Sequence, residues 1–224
     1  RAELARHGHE PAVLLHPELV VTRSPDGLLL DVCDIDDNAE VPEGAITESW
    51  MHAEIGGCSG AQRAELTADL QRVLADVHAA VADGPASREL MISLAATLET
   101  EHGYFSRDMS GEAGALLRWL ADGNFLLLGH ASYTSMELAH PTRRAPAEPG
   151  AGVLRTAQPI SPGELLPAFR SGAPIVVMKS PLVSTVYRSA RYDCVTVVEP
   201  AQGSAQQRLH VFLGLITLGR DSTM

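Results

Sequence analysis

The apolar positions of the chain change rhythm several times, and each rhythm predicts a different element. From Pro11 to Arg23 the sequence reads Pro-Ala-Val-Leu-Leu-His-Pro-Glu-Leu-Val-Val-Thr-Arg, and after Ser24-Pro25-Asp26-Gly27 it resumes with Leu28-Leu29-Leu30-Asp31-Val32. Asp-Gly between two β-rich runs predicts a hairpin, because glycine accepts the positive φ such turns need. A further apolar run from Ile46 to Ile55 carries Trp50 and Met51 and ends at Gly56-Gly57. It predicts a third strand of the same sheet.

From Ser59 the period becomes helical. Leu66, Leu70, Val73, Leu74, Val77 and Val81 recur at three- and four-residue steps, with Glu65, Asp69, Arg72 and Asp76 between them. This is the pattern of an amphipathic helix, with Ser59 as its N-cap and Gly84-Pro85 as its end. Burying those six aliphatic side chains is worth on the order of 10 kcal/mol before chain entropy is counted, so the helix is expected to lie on the sheet. A weaker helical pattern follows over Ala86–Glu101 (Leu90, Ile92, Leu94, Leu98), then His102-Gly103-Tyr104 and a polar break taken as a domain boundary. A third helix is predicted over Glu112–Asp122, with Leu116, Leu117 and Leu120 on one face and Gly123-Asn124 as its stop, running straight into a strand, Phe125–Gly129.

Glu137 to Gly152, with Pro141, Pro146 and Pro149, reads as a surface loop. Beyond it four apolar runs, Ile175–Met178, Val183–Tyr187, Cys194–Val198 and Leu209–Ile216, predict an antiparallel sheet against which the Leu116 helix packs.

Composition narrows the classes of function. With 45% apolar and 20% charged residues the chain is a folding one. Sixteen arginines and one lysine, Lys179, face 28 carboxylates for a net charge of -11. Dispersed arginines on so acidic a chain argue against a nucleic-acid partner. No apolar run approaches the roughly 18 to 20 residues of a membrane span, and Arg1-Ala2-Glu3 does not open a signal sequence, so no membrane partner is expected. Three cysteines, Cys33, Cys58 and Cys194, form neither a disulfide framework nor a zinc site by spacing and suit a reducing cytoplasm.

Chemical signatures are sparse. Neither G-x-G-x-x-G nor G-x-x-x-x-G-K-[ST] is present, so no cofactor is expected in this segment. Asp34-Ile35-Asp36-Asp37-Asn38 begins like a calcium loop, but Ala39 and Ala45 stand where that loop needs glycine and glutamate, which favours a solvated loop. His7-Gly8-His9 offers two histidines without a third ligand in sequence and reads as incidental. Cys58 precedes a helix start, where a thiol is activated, yet capping by Ser59 explains the Gly56-Gly57-Cys58-Ser59-Gly60 segment more simply. His52 and His210 alternate with apolar residues and read as sheet-face residues. The most suggestive polar cluster is Lys179, Ser184, Thr185, Tyr187 and Arg188, which one predicted hairpin would gather into a carboxylate site, although solvent-facing positions of an edge hairpin would look the same.

Three stretches carry a family resemblance: Leu116-Leu117-Arg118-Trp119-Leu120-Ala121-Asp122-Gly123-Asn124-Phe125-Leu126-Leu127-Leu128-Gly129, Ser184-Thr185-Val186-Tyr187-Arg188 and Val211-Phe212-Leu213-Gly214-Leu215. They resemble the N-terminal region of the large NAD-dependent glutamate dehydrogenases of bacteria. Upstream, His16-Pro17, Glu48-Ser49-Trp50-Met51-His52 and Val73-Leu74-Ala75-Asp76-Val77 look like the end of that family's first ACT-like domain. The sequence departs from the pattern at Lys179–Val183 and at His130.

The resemblance implies an α+β fold: a ferredoxin-like ACT-type module over residues 1–83, lacking its first strand, a helical connector over 84–110, and a PAS-like antiparallel sheet module with packed helices over 111–224. It implies a non-catalytic regulatory or oligomerisation segment, with NAD bound elsewhere in the parent enzyme. Its expected partners are the rest of the parent chain, that chain's homo-oligomer and an amino-acid effector, and Lys179, Ser184, Thr185 and Arg188 are its candidate effector or interface residues. Two readings compete with it: a free-standing amino-acid sensor, and a thiol hydrolase using Cys58.

Overall fold

The structure is a computed structural model and describes residues 1–34, 40–101, 103, 105–139, 148–155, 160–200 and 207–217. The chain forms two compact units, Arg1–Asp69 and Leu70–Met224, and one helix, α2 (Gly60–Thr100), begins in the first and continues in the second.

The first unit opens with a short helix α1 (Ala2–Arg6), followed by strands β1 (Val13–Leu15), β2 (Glu18–Arg23), β3 (Leu29–Cys33), β4 (Ile46–Ser49) and β5 (His52–Glu54). The predicted hairpin forms between β2 and β3, with Gly27 at φ 82° and its N–H donated to the Ser24 carbonyl at 2.8 Å. The run Ile46–Ile55 does pair beside it, but in two pieces. β4 joins β2 in a three-stranded sheet of order β3-β2-β4, whereas β5 joins β1 in a separate pair. The register does not change across the break, since Leu15 faces His52 and Glu18 faces Ser49. Pro17, which lacks an N–H for the ladder, causes the interruption. The gap is bridged by Trp50 N–H donating to the Pro17 carbonyl at 2.9 Å and by Ser49 Oγ and His16 Nε2 at 2.6 Å. Arg23 closes the opposite side of the sheet with a bidentate grip on Glu48, at 2.5 and 2.7 Å. That guanidinium holds the Glu48 carboxyl down at about 2. Leu4, Val20, Val21 and Leu66 are the buried aliphatic residues of this unit.

The start of α2 follows expectation: Ser59 Oγ accepts from Gln62 N–H, and Gln62 Oε1 accepts from Ser59 N–H, a reciprocal cap. Its end does not. The helix passes through Gly84-Pro85 to Thr100, joining two segments that the sequence separates. The residue before this proline is a glycine, so no Cβ meets the ring, and the turns beyond bury Met91, Leu94, Ala95 and Leu98. Asp83 pins the same turn, its carboxylate accepting from Gly152 N–H and from Arg155. Packing outweighs the roughly 3 kcal/mol that an interior proline costs. The boundary expected at residue 83 therefore falls inside a helix. The apolar stripe expected to be buried is also largely outside: Leu74 is 58% and Val81 73% exposed, whereas Asp76, Ala79 and Ala80 face inward.

The rest of the second unit contains α3 (Arg107–Trp119), β6 (Phe125–Thr134), α4 (Ser135–Ala139), β7 (Ala151–Gly152), α5 (Pro162–Phe169), β8 (Ile175–Val183), β9 (Arg191–Val198) and β10 (Arg208–Ile216). Ser106 caps α3, and the chain leaves the helix at Gly123 as the sequence predicts. The sheet is antiparallel throughout, in the order β7-β6-β10-β9-β8. Its central strands β9 and β10 are buried at nearly every position, so both faces are covered. Leu94, Leu98, Leu117 and Leu120 pack with Phe125, Val195, Val197 and Phe212 on one side. Leu138, Val153, Leu154 and Leu165 pack with Cys194, Leu209, Val211 and Leu213 on the other. Gly214 sits at a register shift between β10 and β6, where a Cβ would come 2.3 Å from the Leu126 carbonyl oxygen. Only glycine fits there.

Two further expectations need correction. The stretch from Glu137 is not a loop at either described end: Ser135–Ala139 is helical, with Glu137 and Leu138 buried, and Ala151–Gly152 pairs with β6, while residues 140–147 lie outside the described residues. Val183–Tyr187 is not a strand. β8 ends at Val183, and Ser184 Oγ accepts from Val186 N–H and donates to the Val186 carbonyl, giving the backbone a turn in place of a ladder. The calcium-loop resemblance, after Asp34, also falls on residues outside the described ones.

Candidate functional site

The polar residues singled out near the end of β8 do not converge on one point. Lys179, the sole lysine, lies opposite Asp193 on β9, and its Nζ is 2.6 Å from Asp193 Oδ1, while Asp193 Oδ2 accepts from Ile216 N–H on β10 at 2.9 Å. Ser184, 1% exposed, is spent on its own turn. Thr185 Oγ1 donates to Asp76 Oδ2 of α2 at 2.8 Å, tying the β8–β9 connection to the helix. Arg188 reaches the Ile216 carbonyl at 3.5 Å. The contacts of Lys179, Thr185 and Arg188 each fasten one part of the sheet unit to another.

Beside Lys179 lies a cavity of about 280 Å³ bordered by Ile160, Glu164, Met178, Arg191 and Cys194. It presents both charge signs on an apolar floor. The Cys194 thiol is pushed up to about 12 by burial, then by Glu164, so it remains protonated and unreactive. Sequence reasoning found Lys179 but missed Glu164 and Arg191, because these come from the neighbouring elements α5 and β9 and carry no motif of their own.

A second polar network lies within the sheet. His130 Nε2 is 3.2 Å from His210 Nδ1, the two rings stack at 5.5 Å, and His210 Nε2 is 3.2 Å from Glu199 Oε2. Burial lowers the pKa of His130 to about 4, with the neighbouring His210 acting in the same direction. Burial likewise lowers that of His210, opposed by Glu199. Two neutral imidazoles passing hydrogen bonds to one carboxylate satisfy the site without a buried charge. His210 is thus a sheet residue, as the sequence suggests, but an inward one.

At the start of α2 the cap belongs to Ser59, and Cys58, half-buried, immediately precedes it. His52 is exposed on β5, with Nε2 3.4 Å from Glu54.

The architecture of mixed α/β units with antiparallel sheets now meets its relatives. Residues 1–70 match the family model described as glutamate dehydrogenase, ACT1 domain, and are similar to that class of domain. The match ends where the first compact unit ends. More particularly, the chain is 32% identical over 218 residues to the NAD-specific glutamate dehydrogenase of Mycobacterium tuberculosis (strain ATCC 25618 / H37Rv). That similarity takes in 96% of this chain but only 13% of the relative. The resemblance to the N-terminal part of an NAD-specific glutamate dehydrogenase is therefore shown. Upstream, His16-Pro17 and Ser49-Trp50 are the residues that meet at the break between the two strand pairs. Among the described residues, no helix is long and apolar enough to cross a membrane.

Proposed function

We propose that the chain is a non-catalytic regulatory and assembly segment of a large NAD-dependent glutamate dehydrogenase, whose reaction turns L-glutamate, NAD and water into 2-oxoglutarate, ammonia and NADH. The observation that carries this reading is the coverage: nearly all of this chain aligns with 13% of a dehydrogenase. Oxidative deamination needs basic residues for two substrate carboxylates, a proton-transfer group and a nicotinamide site. The sequence has one lysine, held by Asp193, and no dinucleotide fingerprint, so these are assigned to other parts of the parent enzyme.

In this reading an ACT-like module reaches about residue 83, residues 84–110 form a connector, and residues 111–224 form a PAS-like module. Counting β6 to β10 as one to five, the sheet order is 2-1-5-4-3 with helices on its faces, which supports the PAS-like assignment. The partners are the rest of the parent chain and its homo-oligomer, in the cytoplasm. The cavity beside Lys179 supports an amino-acid effector, because Arg191 and Glu164 offer the opposite charges that a zwitterion needs. The same cavity favours the second reading, a free-standing amino-acid sensor.

The test is a pair of measurements on the 224-residue chain. Incubated with glutamate and NAD it is expected to form no NADH, and NADH production would overturn the non-catalytic assignment. Titrated with amino acids, it is expected to show a saturable rise in melting temperature that Arg191→Ala removes. No rise with any amino acid would remove the effector from the proposal.

A further inference from the structure

His7 has the third ligand that its sequence neighbourhood lacks. Glu3 and His7 stand four residues apart at the two ends of α1, and Asp69 comes to the same place from the early turns of α2, all within the first compact unit. His7 Nε2 is 2.9 Å from Asp69 Oδ2 and 3.6 Å from Glu3 Oε1. One donor atom from each of the three residues lies within 4.8 Å of the other two. Donor atoms bound to one small divalent ion at about 2.0–2.2 Å lie roughly 2.9–3.5 Å from one another, so the observed spacing needs only a small contraction to close around an ion.

The surroundings fit that use. Glu3 is 5% exposed, an unusual burial for a carboxylate on a five-residue helix, and Arg6 Nη2 holds its other oxygen, Oε2, at 2.8 Å. The guanidinium thus fixes the carboxylate plane with Oε1 turned toward His7, as outer groups commonly orient metal ligands. The His7 side chain is 16% and the Asp69 side chain 31% exposed, so an ion held between them keeps a path to water for its remaining positions. One imidazole nitrogen with two carboxylate oxygens is a borderline donor set, suited to zinc and its first-row neighbours rather than to calcium or magnesium.

We propose that Glu3, His7 and Asp69 form a binding site for a divalent transition-metal ion, held by three protein ligands with further positions open to water. The site joins α1 to α2, so its occupation fastens the first helix to the rest of the ACT1-type unit and stabilises that unit by mass action. It is independent of the cavity beside Lys179, and neither its success nor its failure bears on the dehydrogenase reading.

The probe is Zn(II) alone, titrated calorimetrically into the metal-stripped 224-residue chain, with Co(II) absorption as a second readout. One ion per chain is expected to bind, with a Co(II) ligand-field band. Asp69→Asn and His7→Gln should each weaken binding by tenfold or more, while His9→Gln leaves it unchanged. In the unaltered chain, Zn(II) should move the imidazole nitrogen resonances of His7 and leave those of His9 in place, a readout that does not depend on any variant folding. Absence of saturable binding, binding that survives loss of His7, or binding that follows His9 would each overturn the site and leave an ordinary ion-pair cluster.

Discussion

The two compact units solve the same problem of burying β-strands to very different degrees. In the second, the central strands β9 and β10 are covered on both faces, and Val195, Val197, Val211 and Phe212 have no exposed surface. In the first, Val32 and Ile46, which flank the fully buried Val21 on the same face of the sheet, remain 46% and 50% exposed, and Leu15 and Met51 exceed half. The difference teaches that, among the described residues, the central strands of the second unit are covered by that unit's own elements, whereas the sheet of the first displays apolar strand surface.

The largest effect should come from the covered strands. Phe212→Ala is expected to cost about 3–5 kcal/mol in denaturant unfolding, and Ile46→Ala on the half-exposed strand well under half of that. Equal losses at the two positions would break the comparison. Next, Thr185→Val leaves the buried Asp76 carboxylate short of a hydrogen bond and should cost about 1–3 kcal/mol, read by the same unfolding curves.

Acid should also separate the units. His130 and His210 have folded pKa values below the ordinary 6.5. Their unfolded forms take up protons first as pH falls, so the stability they confer is present above about pH 6.5 and is lost below it, for His130 on descent toward about 4. Glu48 has its carboxyl lowered from 4.5 to about 2, so its contribution in the first unit is lost only between those values. Stability of the second unit measured from pH 7.5 to 4.5 should fall, and the fall should shrink in His130→Leu. A flat profile would contradict the buried-imidazole account. The smallest effect is expected at Leu74→Ser and Val81→Ser, within about 0.5 kcal/mol, because these helix positions are exposed.

Much of the second unit was legible because its elements declare themselves locally. The Leu116 helix, its exit at Gly123 and the buried strands from Cys194 and Leu209 follow from period and turn chemistry alone. What escaped was decided by tertiary contact. Gly84-Pro85 reads as a stop until Asp83 and the packed turns beyond it are in place. The stripe from Leu70 to Val81 reads as a core face because periodicity reports amphipathicity and not what covers it. Ser184-Thr185 reads as strand from β propensity alone, which in the fold is outweighed by the pull of its hydroxyls on a turn and on Asp76. The cavity residues Glu164 and Arg191 carry no sequence signal, and the packing of α5 and the β8–β9 pair brings them to Lys179.

The most direct test of the regulatory-segment reading is the intact mass of the polypeptide that carries this sequence in its source cells, taken with its NAD-dependent glutamate oxidation. A subunit several times heavier than 23.9 kDa that forms NADH from glutamate is the predicted result. A subunit near 23.9 kDa without that activity would contradict the dehydrogenase account and leave the free-standing sensor in its place.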